Sequence, residues 1–111
     1  MAYDEELADR IRALLAVRGG VEEKAMFGGL AFLVGGNMAV AASGEGGLLV
    51  RSDPGESAAL LAEAGVRPMV MRGREMHGWL RVDADAVAGD AALRRWVEHG
   101  AAYAGSLPAK R

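Results

Sequence analysis

The pattern of apolar and polar positions changes period along the chain, and each period predicts a different element. Near the N-terminus the apolar positions form one helical stripe, which consists of Leu7, Ile11, Leu14 and Leu15. Charged residues occupy the other side, and Gly19 and Gly20 supply a stop signal. We therefore predict an amphipathic helix in this segment.

Three short apolar runs follow, and turn residues separate them. They cover residues 30–34, 38–42 and 47–51, and the intervening turns are Gly-Gly-Asn and Ser-Gly-Glu-Gly. Runs of this kind are typical of β-hairpins, because glycine and asparagine tolerate the positive φ that a tight turn needs. This part of the chain is thus predicted to form three antiparallel strands.

The second half of the chain begins with a well-marked helix start. Asp53 can cap a helix, Pro54 occupies its first position, and Glu56 has capping-box spacing to Asp53. Gly65 would end this helix, because glycine is the preferred residue just beyond a helix C-terminus. We predict a helix between these signals.

A third hairpin and a final helix are predicted next. Residues 66–71 and 76–82 would be the strands, and the turn Gly73–Arg74 has glycine first, as type II′ requires. The last helix would extend from Asp90 to Ala104. Its apolar stripe consists of Leu93, Trp96, Val97 and Ala101.

The order of predicted elements is therefore α-β(3)-α-β(2)-α. Short connections favour antiparallel neighbours, so we predict an α+β fold of two layers, with a five-stranded antiparallel sheet and its helices on one side. The chain has 111 residues, which is the length of one domain, 1–111. Residues 106–111 are expected to form a frayed tail.

One face of the predicted sheet needs a cover. In the last hairpin, the face expected to enter the core carries Met69, Met71, Met76, Leu80 and Val82. The opposite face would carry Val66, Val70, Arg72, Glu75, His77, Trp79 and Arg81. The runs 30–34 and 38–42 are apolar on both faces, whereas a sheet covered on one side should alternate. We therefore expect a homodimer or another protein partner to cover part of the second face. The alternatives are a helix that crosses to it, or small side chains tolerated there.

Composition excludes several kinds of chemistry. The chain has no cysteine, which rules out disulfides, thiolate catalysis and cysteine zinc sites. Its two histidines, His77 and His99, fall on different predicted elements and lack metal-ligand spacing. No serine has a nucleophile-elbow setting. We predict no catalytic site, metal or cofactor. The sequence has no signal peptide or membrane-spanning run, so we expect a cytoplasmic protein without membrane contact.

Two glycine pairs, Gly28–Gly29 and Gly35–Gly36, could suggest a phosphate-binding loop. Such loops lie between a strand and a helix, whose free N–H groups hold the anion. Here both pairs lead into apolar strands, so a structural role is favoured. Gly28 and Gly29 would mark a bulge or a close approach of two backbones, and Met26 and Phe27 would anchor the entry to the sheet.

Four arginines fall on the last hairpin, although the net charge of the chain is −2. They are Arg67, Arg72, Arg74 and Arg81. Such a patch could contact phosphates, and Trp79 beside it could stack on a base. A solvated strand face with one buried indole explains the same residues. Nucleic-acid binding is therefore an alternative to protein binding.

Two motifs in this order resemble the N-terminal domain of the TfoX/Sxy family. The first is the Met-Phe-Gly-Gly start of a strand, at residues 26–29. The second is a Gly-Arg-x-Met-x-Gly-aromatic segment, matched by Gly73, Arg74, Met76, Gly78 and Trp79. The resemblance covers residues 4–108 and implies an α+β fold of the secretion-chaperone-like kind, which commonly dimerises. It supplies no catalytic residues.

The founding members of that family regulate natural competence, and the longer ones carry a second, helical domain, which we do not expect here because the sequence ends before one could form. The resemblance implies a regulatory or adaptor domain that acts through protein–protein contacts. The first candidate surface consists of Arg72, Arg74, His77, Trp79 and Arg81. The segment 26–29 is the second, with a structural role favoured there. A small ligand-binding domain or enzyme is a further alternative, which would need a pocket that the sequence does not reveal.

Overall fold

A computed structural model of the chain describes residues 3–26 and 28–109. The helices are α1 (Glu5–Leu15), α2 (Ser57–Leu61) and α3 (Asp90–Ser106). The strands are β1 (Val21–Met26), β2 (Gly29–Val34), β3 (Asn37–Ala42), β4 (Leu48–Arg51), β5 (Val66–Met71) and β6 (Arg74–Val82). Short 3₁₀ turns precede α2 and α3, at Pro54–Glu56 and Ala84–Val87.

The described strands form one antiparallel sheet in the order β1-β2-β3-β4-β6-β5. The predicted α+β class is confirmed, but the sheet has six strands rather than five. The additional strand is β1, which pairs with β2 from Val21↔Val34 to Met26↔Gly29. Its sequence is VEEKAM, and its four central residues are exposed. An edge strand of this polarity has no apolar alternation, which is why the pattern did not predict it.

The main core lies between the sheet and the helices. Both predicted helical stripes enter it, and the sheet contributes Phe32, Val40, Val50, Leu80 and Val82. The short helix α2 packs against the same core through Leu60 and Leu61. All three helices therefore lie on one side of the sheet, as predicted. Helix α3 approaches the sheet closely at Gly100, where a Cβ would lie 2.4 Å from the backbone oxygen of Ala39.

The predicted helix after Asp53 is shorter than expected. Asp53 does cap its start, since Oδ1 accepts a hydrogen bond from the Gly55 N–H at 2.9 Å. However, the first residues form a 3₁₀ turn, and α2 has only five residues. Gly65 reverses the chain at φ +79°, and its oxygen accepts a hydrogen bond from the Asp83 N–H at 2.8 Å. The chain must therefore leave the helix early so that β5 can pair with β6.

The C-terminal segment is held more firmly than predicted. Helix α3 continues to Ser106, two residues beyond the predicted end. The Asn37 side chain donates a hydrogen bond to the Pro108 oxygen at 2.9 Å, and Ala109 lies beside Gly35. The expected frayed tail is thus attached to the β2–β3 turn as far as Ala109, and residues 110–111 lie outside the described part.

A bidentate ion pair joins the unpredicted strand β1 to α1. Arg12 Nε donates to Glu23 Oε2 at 2.6 Å, and Arg12 Nη2 donates to Glu23 Oε1 at 2.8 Å. These hydrogen bonds hold the pKa of the Glu23 carboxyl below its usual range. The same pair explains how a polar edge strand without an apolar face is kept in register against the helix.

We expect Arg12→Gln to raise the pKa of Glu23 toward that of an ordinary glutamate, because the carboxylate loses its charged donor. A pKa lowered by folding stabilises the protein above the unfolded-state pKa, and this contribution is lost as pH falls through the folded-state pKa. The effect on stability should be small, since the Arg12 and Glu23 side chains remain 47% and 36% exposed and solvent screens their interaction. NMR titration of the Glu23 carboxyl measures the shift. Arg18→Gln is the control, and an unchanged Glu23 midpoint in the Arg12 variant would contradict the expectation.

Candidate interaction surface

The face of the sheet opposite the helices carries a second apolar cluster, which we call the methionine face. It takes side chains from all six strands: Met26, Ala31, Leu33, Met38, Ala41, Leu49, Met69, Met71, Met76 and Trp79. No helix residue of the described ranges belongs to it. Five of the six methionines of the chain are gathered here. Because methionine is flexible and polarizable, such a cluster can adapt its shape to what it touches.

The methionine face has a buried centre and a partly exposed rim. At its centre, Met38, Leu49 and Met69 are 4%, 1% and 4% exposed. The partly exposed rim consists of Met26, Leu33, Met71, Met76 and Trp79. Neighbouring side chains of the sheet itself bury the centre, since the cluster contains no helix residue from the described ranges. The chain's own residues therefore cover the centre of the second face, while its rim stays partly exposed. The partner expected to cover that rim stays a prediction.

The prediction that three methionines share the core face with Leu80 and Val82 is wrong. Leu80 and Val82 lie in the main core, whereas Met69, Met71 and Met76 belong to the methionine face. Val66, which was expected on the opposite face, lies in the main core as well. Two irregularities in the β5–β6 hairpin explain the difference.

The first irregularity is the turn, which lies one residue earlier than predicted. The last paired residues are Met71 and Arg74, so the turn residues are Arg72 and Gly73. Their φ angles are +54° and +77°, and positive φ at both central residues is the type I′ arrangement. The prediction of a Gly73–Arg74 type II′ turn is therefore wrong. A shift of one residue exchanges the two faces of a strand.

The second irregularity is a bulge in β6 at Gly78. The pairing moves from Pro68↔Leu80 to Val70↔Glu75, so residues 76–79 of β6 lie opposite a single residue of β5. Gly78 has φ +84°, and a Cβ there would lie 3.0 Å from the Ser52 oxygen. The bulge breaks the two-residue alternation, and Met76 therefore joins the same cluster as Trp79.

We expect Arg72→Asn to stabilise the hairpin by about 1 kcal/mol, because arginine is strained at positive φ and asparagine tolerates it. The new turn would be Asn-Gly, the preferred type I′ sequence. Denaturant unfolding measures the change in free energy. Arg74→Asn is the matched control, since Arg74 lies in the exposed end of β6, where asparagine is disfavoured. Equal effects of the two substitutions would contradict the assigned turn.

The five residues of the predicted interaction surface lie in different settings. Arg72, Arg74 and His77 are exposed at the end of the β5–β6 hairpin. Trp79 is half-buried in the methionine face. Arg81 donates to Ser43 Oγ and to a Glu45 carboxylate oxygen, both at 3.0 Å. The hairpin end therefore offers two exposed arginines and a histidine, while Trp79 belongs to an apolar surface.

A further residue, Arg51, was not predicted to belong to this surface. Its guanidinium carbon lies 4.9 Å from the ring centroid of Trp79 and 5.9 Å from that of Tyr103. Arg51 and Trp79 are direct cross-strand partners on β4 and β6, whereas Tyr103 comes from α3. Aromatic faces attract a guanidinium through the ring quadrupole. This contact depends on the pairing register of β4 and β6, which are far apart in the sequence. The pattern of apolar and polar residues does not predict that register.

The glycines of residues 26–29 allow a close approach of two backbones. A Cβ on Gly29 would lie 2.1 Å from the Ala42 oxygen, and one on Gly44 would lie 2.4 Å from the Gly28 oxygen. Gly28 also has φ +74°. The second predicted surface thus coincides with a structural contact between the start of β2 and the end of β3. Phe27 lies outside the described residues, so its anchoring role stays a prediction.

A serine–histidine contact was missed because its members are 47 residues apart. Ser52 Oγ lies 2.9 Å from His99 Nε2, and a Glu56 carboxylate oxygen lies 3.9 Å from the same nitrogen. Ser52 is fully buried, so its hydroxyl is not presented to a substrate. The contact joins the end of β4 to α3, and we assign it a structural role.

Neither a metal centre nor a membrane span emerges from the described residues. Within residues 3–26 and 28–109, no group of three or more histidine, cysteine, aspartate or glutamate side chains could hold a metal ion. No helix in these ranges is long and apolar enough to cross a bilayer.

Comparison with known proteins identifies the family. Neither the curated proteins nor the solved structures gave a match to the chain. The expected likeness to secretion chaperones therefore stays a prediction. The family model described as the TfoX N-terminal domain matches residues 13–104, a range that includes all six strands, both motifs and nearly all of α3. The chain therefore belongs to the TfoX N-terminal domain family.

Proposed function

We propose that the protein is a non-catalytic regulatory or adaptor domain that acts through protein–protein contacts, in transcription or competence regulation. The observation that carries this proposal is the partly exposed apolar rim of the methionine face. Apolar patches on a protein surface mark interaction sites, and methionine-rich ones suit the recognition of protein segments. Family membership supports a regulatory role.

The two edges of the sheet are poorly suited to binding by strand addition. The edge strand β1 is charged and exposed, and charged edge residues oppose pairing with another strand. The other edge strand, β5, contains Pro68, which has no N–H to donate. These features favour contact through the methionine face over contact through a strand edge.

Nucleic-acid binding is the weaker alternative. Two of the four hairpin arginines are already paired, since Arg67 contacts Asp83 at 2.6 Å and Arg81 contacts Glu45 at 3.0 Å. One face of the Trp79 ring is occupied by Arg51, which leaves that face unavailable for stacking on a base. The homodimer expected from the sequence remains part of the proposal, because a second copy is one candidate occupant of the methionine face.

Affinity capture with matched variants tests the proposal. We expect the tagged wild-type chain to retain a defined protein partner after nuclease treatment, and Met71→Glu to lose it, because a charge would enter the apolar rim. Val17→Glu is the control, since Val17 is 92% exposed and lies outside the methionine face. Circular dichroism verifies that each variant is folded.

Two results would contradict the proposal. Capture that disappears with nuclease in the wild-type chain would favour the nucleic-acid alternative. Capture that is unchanged in folded Met71→Glu would show that the methionine face is not the contact surface.

A further inference from the structure

We propose that the methionine face binds an acidic, amphipathic segment of a partner protein, and that Arg51 receives a carboxylate of that segment. The inference rests on the proposed protein-binding function and adds the chemistry of the partner. It follows from the charges that the strand register places around the apolar rim.

Cross-strand neighbours share a face of the sheet, so the register identifies the charged residues on the methionine face. Lys24 lies opposite Ala31, Arg74 lies opposite Met71, and Arg51 lies opposite Trp79, whereas Arg81, opposite Leu49, is already paired with Glu45. Each of these three cations is therefore next to a member of the apolar cluster.

These three cations lack a neutralising partner in the described part of the chain. No carboxylate there lies within 4.0 Å of Lys24, Arg51 or Arg74. Glu22, opposite Leu33, is the one strand carboxylate that the register places on this face without an ion pair among the described residues. Three positive charges and one negative charge leave an excess of two positive charges, although the chain as a whole carries −2. The face therefore complements an acidic partner.

Of these three cations, Arg51 is the best positioned to bind a carboxylate of the partner. It is half-buried at the last position of β4, and its guanidinium carbon lies near Trp79 of the methionine face and near Tyr103 of α3, so it sits at the margin of the face where the end of the sheet meets the helix layer. A guanidinium that stacks on aromatic rings keeps N–H groups at its edge, which match the two oxygens of a carboxylate. Because two aromatic rings already contact the group, binding would cost less conformational entropy than at a freely solvated arginine. A segment that lays apolar side chains on the methionines would bring its own carboxylate to this position.

A second copy of the chain fits the same face less well. A two-fold contact through the methionine face would bring two sets of these cations together, and like charges at a contact cost free energy. A nucleic acid would supply negative charge but would leave the methionine side chains without an apolar partner. The observed combination of an apolar floor and unneutralised cations favours an acidic protein segment.

Selection of displayed random peptides on the purified full chain tests the inference. We expect enriched peptides to combine apolar residues with an excess of aspartate and glutamate. The same enrichment should appear on Arg94→Gln, because Arg94 is an exposed cation of α3 outside the methionine face. On Arg51→Gln the preference for acidic residues should weaken, since Lys24 and Arg74 remain, and a synthesised selected peptide should bind at least about tenfold more weakly. Arg51→Lys should also weaken binding, because lysine keeps the charge but not the two-pronged geometry.

Several results would overturn the inference. They are enrichment of neutral or basic peptides, no enrichment at all, or unchanged peptide affinity in folded Arg51→Gln. Sedimentation that shows a wild-type dimer and a Met71→Glu monomer would make a second copy the occupant, and the acidic-partner proposal would be wrong.

The inference and the proposed function fail in different experiments. Lysate capture that depends on Met71 but not on Arg51 would leave the protein-binding function in place and remove the carboxylate contact. Capture that is independent of both residues would show that the methionine face is not the contact surface, and both proposals would be wrong.

Discussion

Gly100→Ala should destabilise the protein by about 3 kcal/mol, although alanine is the better helix former by about 1 kcal/mol. A Cβ at this position would lie 2.4 Å from the Ala39 oxygen and 2.8 Å from Val40 Cγ1. The oxygen belongs to the backbone of β3, so it cannot move aside as the end of a flexible side chain could. The alanine therefore has to push α3 away from the sheet, which opens the main core along the longest helix.

Gly105→Ala in the same helix is the matched control. The atoms nearest to its added Cβ would be Arg18 Nη1 at 3.6 Å and Val34 Cγ1 at 3.7 Å, which are ordinary contact distances. We expect this substitution to stabilise the protein by about 0.5–1 kcal/mol, the usual gain of alanine over glycine in a helix. Denaturant unfolding of both variants gives the two free energies. Stabilisation by both substitutions would contradict the close packing of α3 on β3.

Gly29→Ala should have an effect of similar size, on the order of 3 kcal/mol, and it concerns the family motif itself. A Cβ on Gly29 would lie 2.1 Å from the Ala42 oxygen, within the ladder that joins β2 to β3. Since Gly29 is the first residue of β2, the clash would separate the strands at the point where the chain enters the centre of the sheet. The motif is thus expected to be required for folding.

Gly28→Ala separates steric overlap from backbone strain at this motif. Gly28 has φ +74°, but among the described residues no atom beyond its chain neighbours lies within 4 Å of a Cβ built there. Alanine should therefore cost only the strain of positive φ, roughly 1–2 kcal/mol. A larger loss at Gly28 than at Gly29, measured by thermal unfolding, would contradict the account of a backbone approach at Gly29.

The sequence predicted best those elements whose apolar residues face one core. The stripe of Leu7, Ile11 and Leu15 enters the main core as expected, because an amphipathic helix shows its buried side in its period. The runs 30–34 and 38–42 are apolar on both faces, and this correctly indicated a second apolar surface. What the pattern could not show was that methionines from the sheet itself bury the centre of that surface.

The errors arise where tertiary contacts override local alternation. β1 was missed because its side chains are polar, and its place is defined by pairing with β2 and by the Arg12–Glu23 ion pair. The hairpin faces were exchanged because Arg72 adopts positive φ and because Gly78 inserts a bulge. Neither feature has a two-residue period from which it could be predicted.

The candidate site could be predicted only in part for a related reason. Trp79 was predicted to lie at an interaction surface because it stands among arginines in the sequence, and the structure places it, half-buried, in the methionine face. Its contact with Arg51 depends on the β4–β6 register, and the nearby Tyr103 belongs to a helix far along the chain. Arg67 and Arg81 looked available in the sequence, whereas loop carboxylates pair with both of them.

The central claim is that the methionine face is the contact surface, and methyl NMR of the methionines tests it most directly. With methyl-labelled methionine and valine, the free protein is compared with the protein bound to its captured partner. We predict that the Met26, Met71 and Met76 signals shift or broaden on binding, because these side chains form the partly exposed rim. Val17, which is exposed outside this surface, should remain unchanged. Binding that shifts Val17 and leaves the three methionines unchanged would contradict the account.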